Sequence, residues 1–139
     1  MAAAAAGIIG ASLATAPNAA AYVGPTPDCT DGFVCLYYHS SAFVNNHIPP
    51  NYGAVFKTAS NIANYDGWIF SAGNNGSDGA GQSVKNNAAF VDNEWSLRAY
   101  RVYYNSNYNC SVACQDIAAR GVADLNSTMH NNNASGKFL

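Results

Sequence analysis

Turn-forming residues divide this chain into segments that are too short for most helices. Gly occurs 12 times in 139 residues, and paired Asn residues recur at positions 45–46, 74–75, 86–87 and 131–132. No window of about ten or more residues shows the apolar spacing of a helical stripe. The segments between the turns are rich in Tyr, Phe and Val, which favour pleated, half-buried surfaces. The pattern therefore predicts an all-β sandwich or barrel.

The strand candidates are short runs of apolar and aromatic residues. They lie at residues 33–38, 54–57, 65–70 and 97–104, and on both sides of a turn within 117–125. Residues 71–81 alternate Gly with Asn, Ser and Asp, a composition typical of a loop. Residues 39–51 contain Asn-Asn and Pro-Pro pairs, which favour a loop or a broken edge strand.

The chain also contains an internal repeat. The run LYYHSS at 36–41 is similar to VYYNSN at 102–107, and SVKNNAA at 83–89 is similar to STMHNNNAS at 127–135. In each half, an aromatic strand is followed further along the chain by an Asn-rich turn. Two such copies predict two related β motifs that pack on a shared core.

The N-terminal 21 residues differ in composition from the rest. They are Ala-rich with a short apolar stretch, and they end in Ala19-Ala20-Ala21, which fits the small-residue cleavage pattern of a secretory signal. No basic residue precedes the apolar stretch, so we interpret residues 1–21 as a signal peptide truncated at its N-terminus. The alternative is an Ala-rich helix inside the fold. No segment is long and apolar enough to span a membrane, and we expect a secreted, extracellular domain over residues 22–139.

If the domain is exported, its four cysteines are expected to form disulfides. Cys29, Cys35, Cys110 and Cys114 form an even set, which in a small exported domain indicates two disulfides. Three pairings are compatible with four cysteines. We expect the local one, Cys29 with Cys35 and Cys110 with Cys114, because each pair is close in sequence across turn-prone residues. A zinc site is the alternative, although neither spacing is CxxC.

Charge and motifs exclude several function classes. Charged residues are 10% of the chain and the net charge is −2, so the basic stripe of a nucleic-acid binder is missing. No HExxH, GxSxG, GxGxxG or P-loop spacing occurs. His39, His47 and His130 lie in polar surroundings, where a surface or hydrogen-bonding role is expected. We therefore predict that the chain is not an enzyme, the alternative being a Ser-His-Asp site assembled only in three dimensions.

Four segments together carry a family resemblance. Residues 33–38, 81–88, 102–108 and 131–135, in this order and with the two cysteine pairs, resemble the secreted actinobacterial peptidase inhibitors of the Streptomyces metalloproteinase inhibitor type. The similarity extends from Cys29 to Phe138. It implies a βγ-crystallin-like Greek-key sandwich with two related motifs, which agrees with the internal repeat. It also implies a monomer that inhibits an extracellular, thermolysin-like zinc protease.

The resemblance places the inhibitory loop at Cys110, Ser111, Val112, Ala113 and Cys114. A thermolysin-like pocket prefers an apolar residue after the scissile bond, and Val112 would suit it, with Ser111 as a less apolar alternative. The chain departs from the family pattern in having polar Ser directly after Cys110. The alternative is a disulfide that only fixes a β-turn.

The resemblance also raises calcium binding. Crystallin-like domains hold Ca²⁺ with paired Asn or Asp followed by Ser or Thr, and Asn131, Asn132 and Ser135 match most of that pattern. Gly136 stands where a second Ser is usual, so we favour an Asn-rich turn closed by its own hydrogen bonds and expect no cofactor. The second function that remains open is a secreted, crystallin-like binding or toxin-like domain, stabilised by calcium, that acts on a cell envelope or another microbe.

Overall fold

The computed structural model describes residues 28–43 and 51–139, so the signal-peptide prediction for residues 1–21 and the environment of His47 lie outside the described residues. The described part contains no helix that could cross a membrane. It holds seven four-residue strands: β1 Val34–Tyr37, β2 Val55–Thr58, β3 Phe90–Asn93, β4 Tyr100–Tyr103, β5 Cys114–Ile117, β6 Gly121–Asp124 and β7 Ser135–Phe138.

The strands form two antiparallel sheets, which confirms the predicted all-β class. The four-stranded sheet has the order β2-β1-β3-β6, and the three-stranded sheet has the order β5-β4-β7. In each half the last strand returns to lie beside the first, as in a Greek key. Backbone pairing also joins the halves. Strand β6 of the second half pairs with β3, and Ile62 of the first half forms an isolated bridge of two hydrogen bonds with Gly136 in β7.

Equivalent hydrogen bonds confirm the two related motifs predicted from the repeat. In the first motif, the Ala89 amide donates to the Tyr37 carbonyl over 2.9 Å. In the second motif, the Ala134 amide donates to the Tyr103 carbonyl over 2.8 Å. Each bond joins the residue before the last strand to the final residue of the first strand, so the sequence repeat corresponds to a structural one.

Five strand assignments differ from the structure, including β5, which lies at Cys114–Ile117 although the sequence placed that strand within 117–125. Strands β3 and β7 were missed because Asp92, Asn93, Ser135 and Gly136 have low strand propensity, yet both strands lie against the first strand of their motif. Residues 65–70 form a turn and isolated bridges instead of a strand. The strand predicted at 97–104 begins only at Tyr100.

The interior consists of two apolar clusters. The main cluster lies between the sheets and includes Leu36, Phe56, Tyr65, Val91, Tyr100, Val102, Met129 and Phe138. The smaller cluster packs the aromatic rings of Tyr37, Tyr52 and Phe90 against the Cys29–Cys35 disulfide. Tyr52 and Phe90 stack in parallel with their ring centroids 4.3 Å apart.

A buried pair of tyrosine hydroxyls joins the motifs inside the main cluster. The hydroxyls of Tyr65 and Tyr100 lie 2.8 Å apart, and both side chains are fully buried. Gly136 lies directly against these hydroxyls, where the Cβ of any other residue would collide with them. Burial raises the pKa of Tyr65 and of Tyr100 above the usual value of 10.

The tyrosine pair predicts alkaline destabilisation. Tyrosines ionise near pH 10 in the unfolded chain, and these two ionise at higher pH in the folded protein. Their contribution to the stability of the fold is therefore complete below pH 10 and is lost as the pH rises beyond it. We expect the melting temperature to fall steeply above about pH 10, as measured by circular dichroism between neutral and strongly alkaline pH. The melting temperature of the Tyr65→Phe, Tyr100→Phe double variant should fall less steeply with pH. If the melting temperature falls equally steeply in the variant and in the unaltered protein, this explanation is wrong.

Asn133 connects the Asn-rich turns of the two motifs. Its side chain is fully buried; Oδ1 accepts from the Ala88 amide over 2.9 Å, and Nδ2 donates to the Val84 carbonyl over 2.8 Å. Two backbone bonds flank it, from the Asn86 amide to the Asn133 carbonyl and from the Asn131 amide to the Ala88 carbonyl. The side chain thus satisfies backbone groups that would otherwise be buried without partners.

Removing this side chain should destabilise the whole domain. Asn133→Ala leaves a buried donor and a buried acceptor unpaired, and we expect a loss of about 2–4 kcal/mol in the free energy of unfolding, measured by urea denaturation. Asn132→Ala is the matched control, because the Asn132 amide only closes its own turn near the surface. The control should lose less than about 1 kcal/mol. If both variants lose the same free energy of unfolding, the Asn133 connection between the motifs does not stabilise the domain.

Candidate functional site

The predicted loop connects β4 to β5 at the end of the domain where the first strand of the second motif finishes. A disulfide joins Cys110 to Cys114, the first residue of β5, and a second one joins Cys29 to Cys35. Both pairings are the local ones expected from the sequence, and the described cysteines include no free thiol. The predicted inhibitory residues therefore occupy a closed ring at the edge of the three-stranded sheet.

The ring presents one apolar side chain to solvent. Val112 is 59% exposed at the tip, and Ser111 beside it is exposed as well. Ala113 faces inward, packs against the main cluster, and accepts a hydrogen bond at its carbonyl from the Tyr104 amide over 3.0 Å. The loop is thus attached to the core on one side and offers Val112 on the other.

Polar side chains fix the first half of the loop. The Ser111 amide donates to Oδ1 of Asn109 over 2.8 Å, which is the Asx turn that an Asn favours. Nδ2 of Asn105 donates to Oγ of Ser111 over 3.3 Å. The loop therefore has hydrogen bonds within itself and to the preceding turn, in addition to its disulfide.

The turn before the loop, residues 105–108, is strained and strongly anchored. Asn107 and Tyr108 both have left-handed backbone angles, with φ of 60° and 59°, and each such non-glycine residue costs about 1–3 kcal/mol. The Asn107 amide donates to the Ala63 carbonyl over 2.7 Å. The Tyr108 ring contacts Tyr103 edge-on, and the Lys137 ammonium lies 5.6 Å from its centroid. We call residues 105–108 the strained turn.

Ser135 holds both ends of the strained turn. Its hydroxyl donates to the Asn105 carbonyl over 2.7 Å and accepts from the Tyr108 amide over 3.1 Å, and Ser135 itself is fully buried. The sequence indicated Ser135 only as a calcium candidate, so its positioning role was missed. No local signal distinguished it, because its partners lie 30 and 27 residues away along the chain.

The calcium candidates offer a poor donor set for that ion. Ser135 is engaged on both sides, Nδ2 of Asn132 closes its own turn by donating to the Thr128 and His130 carbonyls, and Asn131 is exposed. Residues 126–135 contain no carboxylate, whereas calcium sites usually combine carboxylates with neutral oxygens. Among the described residues, no three His, Cys, Asp or Glu side chains converge as metal ligands.

The equivalent end of the first motif forms a polar cleft of about 360 Å³. Its lining consists of Tyr38, His39, Ser40, Phe43, Asn87, His130 and Asn131.

Nε2 of His39 lies 2.7 Å from Oδ2 of Asp78, and the His39 ring stacks on Phe43. Ser41 hydrogen-bonds to Asp124 through both its amide and its hydroxyl. His39 therefore has the hydrogen-bonding role that the sequence indicated.

An ion pair fixes β5 beneath the loop. Arg101 of β4 and Asp116 of β5 are register partners, and Nη2 of Arg101 donates to Oδ2 of Asp116 over 2.7 Å. The hydrogen bond from the guanidinium holds the pKa of Asp116 below its usual value. The carboxylate therefore stays charged at neutral pH, and this partly exposed ion pair adds a side-chain contact to the backbone pairing of β4 and β5.

Comparison with known proteins identifies the fold. No family model and no curated protein matches the chain. A domain from a study of the evolution of the eye lens βγ-crystallin domain fold superposes with a TM-score of 0.58 at 12% identity, covering 84% of this chain and 93% of that one. A βγ-crystallin from an archaeon gives a TM-score of 0.47 at 16% identity, covering 77% and 96%. The first match shows that the chain has the βγ-crystallin fold, as predicted.

The two disulfides should differ in their rates of reduction. Cys110 is exposed, whereas Cys29 and Cys35 are only 6% and 0% exposed, and an attacking thiolate needs access to sulfur. Under limiting dithiothreitol, we expect alkylation at Cys110 and Cys114 before any at Cys29 and Cys35, as measured by mass spectrometry of tryptic peptides. Simultaneous labelling of both pairs would mean that the Cys29–Cys35 cluster opens as readily as the loop.

Proposed function

We propose that this protein is a secreted inhibitor of a thermolysin-like metalloprotease and that it binds through the Cys110–Cys114 loop. The observation that carries the proposal is the exposed Val112 side chain at the tip of a loop that is closed by a disulfide and hydrogen-bonded on both sides. The sequence resemblance supports the same function. The βγ-crystallin fold supplies the rigid support for the loop.

In this proposal, Val112 enters the apolar pocket on the protease that receives the residue after the scissile bond. Burying a valine side chain stabilises a complex by about 1.5–3 kcal/mol. The Ser111–Val112 peptide bond would then lie at the catalytic zinc of the protease. The loop is already held in one conformation, so binding costs little conformational entropy.

The disulfide also explains how the protein would resist cleavage. If the Ser111–Val112 bond is cut, the new ends stay joined through Cys110 and Cys114, and the Ala113 carbonyl keeps its bond to the Tyr104 amide. The cleaved ends therefore remain close, and religation competes with dissociation. Two disulfides are compatible with the extracellular setting in which such a protease acts.

Substitution at the loop tip tests the proposal. Val112→Asp places a charge in an apolar pocket, and we expect the inhibition constant against a thermolysin-like protease to rise at least about thirtyfold. The melting temperature should not change, because the side chain is exposed. The measurement is a titration of the protease with a chromogenic peptide substrate.

Leu97→Asp is the matched control. Leu97 is also an exposed apolar residue, at 87% exposure, but it lies in the connection before β4, at the far end of that strand from the loop. The Leu97→Asp variant should inhibit the protease as strongly as the unaltered protein does. Equal inhibition by Val112→Asp would place the contact elsewhere, and no inhibition by the unaltered protein at micromolar concentration would refute the proposal.

A further inference from the structure

We infer that the strained turn, residues 105–108, is a second contact segment for the same protease and that it is recognised through neutral hydrogen-bonding groups. This inference rests on the proposed function and specifies the partner surface more closely. The protease would present uncharged polar groups, such as exposed backbone amides and carbonyls, beside its apolar pocket.

The first support is position. The strained turn precedes the disulfide loop directly, and the Asn105 side chain donates to the Ser111 hydroxyl. The Ser111 amide in turn donates to Asn109. Hydrogen bonds at Ser111 therefore join the turn to the loop directly beside the exposed Val112. A partner that accommodates Val112 would meet this turn.

The second support is backbone strain. Two consecutive non-glycine residues with left-handed angles are an unusual way to connect two strands, and Tyr108 is bulky. Bonds from Ser135 and Ala63 hold this geometry in place. Strain that the surrounding structure maintains is typical of ligand-contacting segments, where it fixes a conformation before binding.

The third support is a comparison between the two motifs. By the internal repeat, residues 102–107 correspond to 36–41, so Asn105 corresponds to His39 and Asn107 to Ser41. In the first motif these side chains are engaged within the molecule, His39 with Asp78 and Ser41 with Asp124. In the second motif Asn107 is exposed. Asn105 is engaged as well, through Ser111, so the contrast between the motifs lies at Asn107, which is exposed where Ser41 is bonded internally.

The chemistry of the partner follows from the composition of this surface. From Val102 to Gln115 the chain has no Asp, Glu, Lys or Arg. Recognition at the strained turn would therefore depend on hydrogen bonds with Asn and Ser groups rather than on ion pairs. The residues of the turn itself add no charge to the interface, and the charged group recorded beside them is the Lys137 ammonium, 5.6 Å from the centroid of the Tyr108 ring.

Two variants test the inference on the full protein. Ser106→Arg adds bulk and charge to the turn, and Asn107→Gly removes the amide while keeping a residue that accepts a left-handed backbone. We expect each to raise the inhibition constant against the same protease at least about tenfold. The melting temperature should rise slightly for Asn107→Gly and fall slightly for Ser106→Arg, which loses the 3.2 Å hydrogen bond from the Ser106 hydroxyl to Oδ1 of Asn64.

Each variant has a matched control. Ser96→Arg makes the same change in the exposed connection before β4, at the far end of that strand. Asn131→Gly makes the same change at another exposed Asn with a positive φ of 57°, beside the cleft of the first motif. Both controls should inhibit like the unaltered protein.

The outcomes separate this inference from the proposed function. If Ser106→Arg and Asn107→Gly inhibit normally while Val112→Asp does not, the strained turn lies outside the interface and only this inference fails. If Ser96→Arg weakens inhibition as much as Ser106→Arg, the effect is not local and the inference fails as well. If the unaltered protein does not inhibit the protease, both fail together.

Discussion

The pairing of the two motifs through their Asn-rich turns is the constraint on which the rest of the structure depends. The backbone bonds from Asn86 to Asn133 and from Asn131 to Ala88 are reciprocal, and the buried Asn133 side chain fills the remaining donor and acceptor positions between the turns. Because the turns are joined, each motif can extend the sheet of the other. The four-stranded sheet takes its fourth strand, β6, from the second motif.

The same pairing determines the shape of the candidate site. Ser135 lies two residues after Asn133 at the start of β7, and its hydroxyl bonds to Asn105 and Tyr108 at both ends of the strained turn. The turn then supports Ser111 through Asn105, and the disulfide closes the loop that presents Val112. A short series of hydrogen bonds thus links the contact between the motifs to the disulfide loop.

Local sequence signals predicted the parts of the protein that local interactions determine. Strands β1 and β2 were predicted from runs of aromatic and β-branched residues, and the disulfides from the closeness of each cysteine pair. The repeat of Asn-rich turns predicted two related motifs. The closed ring at 110–114 follows from the Cys110–Cys114 disulfide, whereas its inhibitory role, which the resemblance implies, stays a prediction. In each case, the residues that form the feature are neighbours in the chain or repeat a recognisable pattern.

Only the tertiary structure decided the features that join distant residues. Asp92 and Asn93 would not be chosen for a strand, yet β3 forms because it has partner strands on both sides, and Nδ2 of Asn93 donates to three backbone carbonyls. Likewise, the left-handed angles of Asn107 and Tyr108 exist because Ala63 and Ser135 hold them. The sequence by itself determined an all-β, disulfide-closed chain with two similar halves. The position of Ser135 and the strained turn depended on long-range hydrogen bonds, because the pattern of nearby residues does not encode which distant backbone groups will meet.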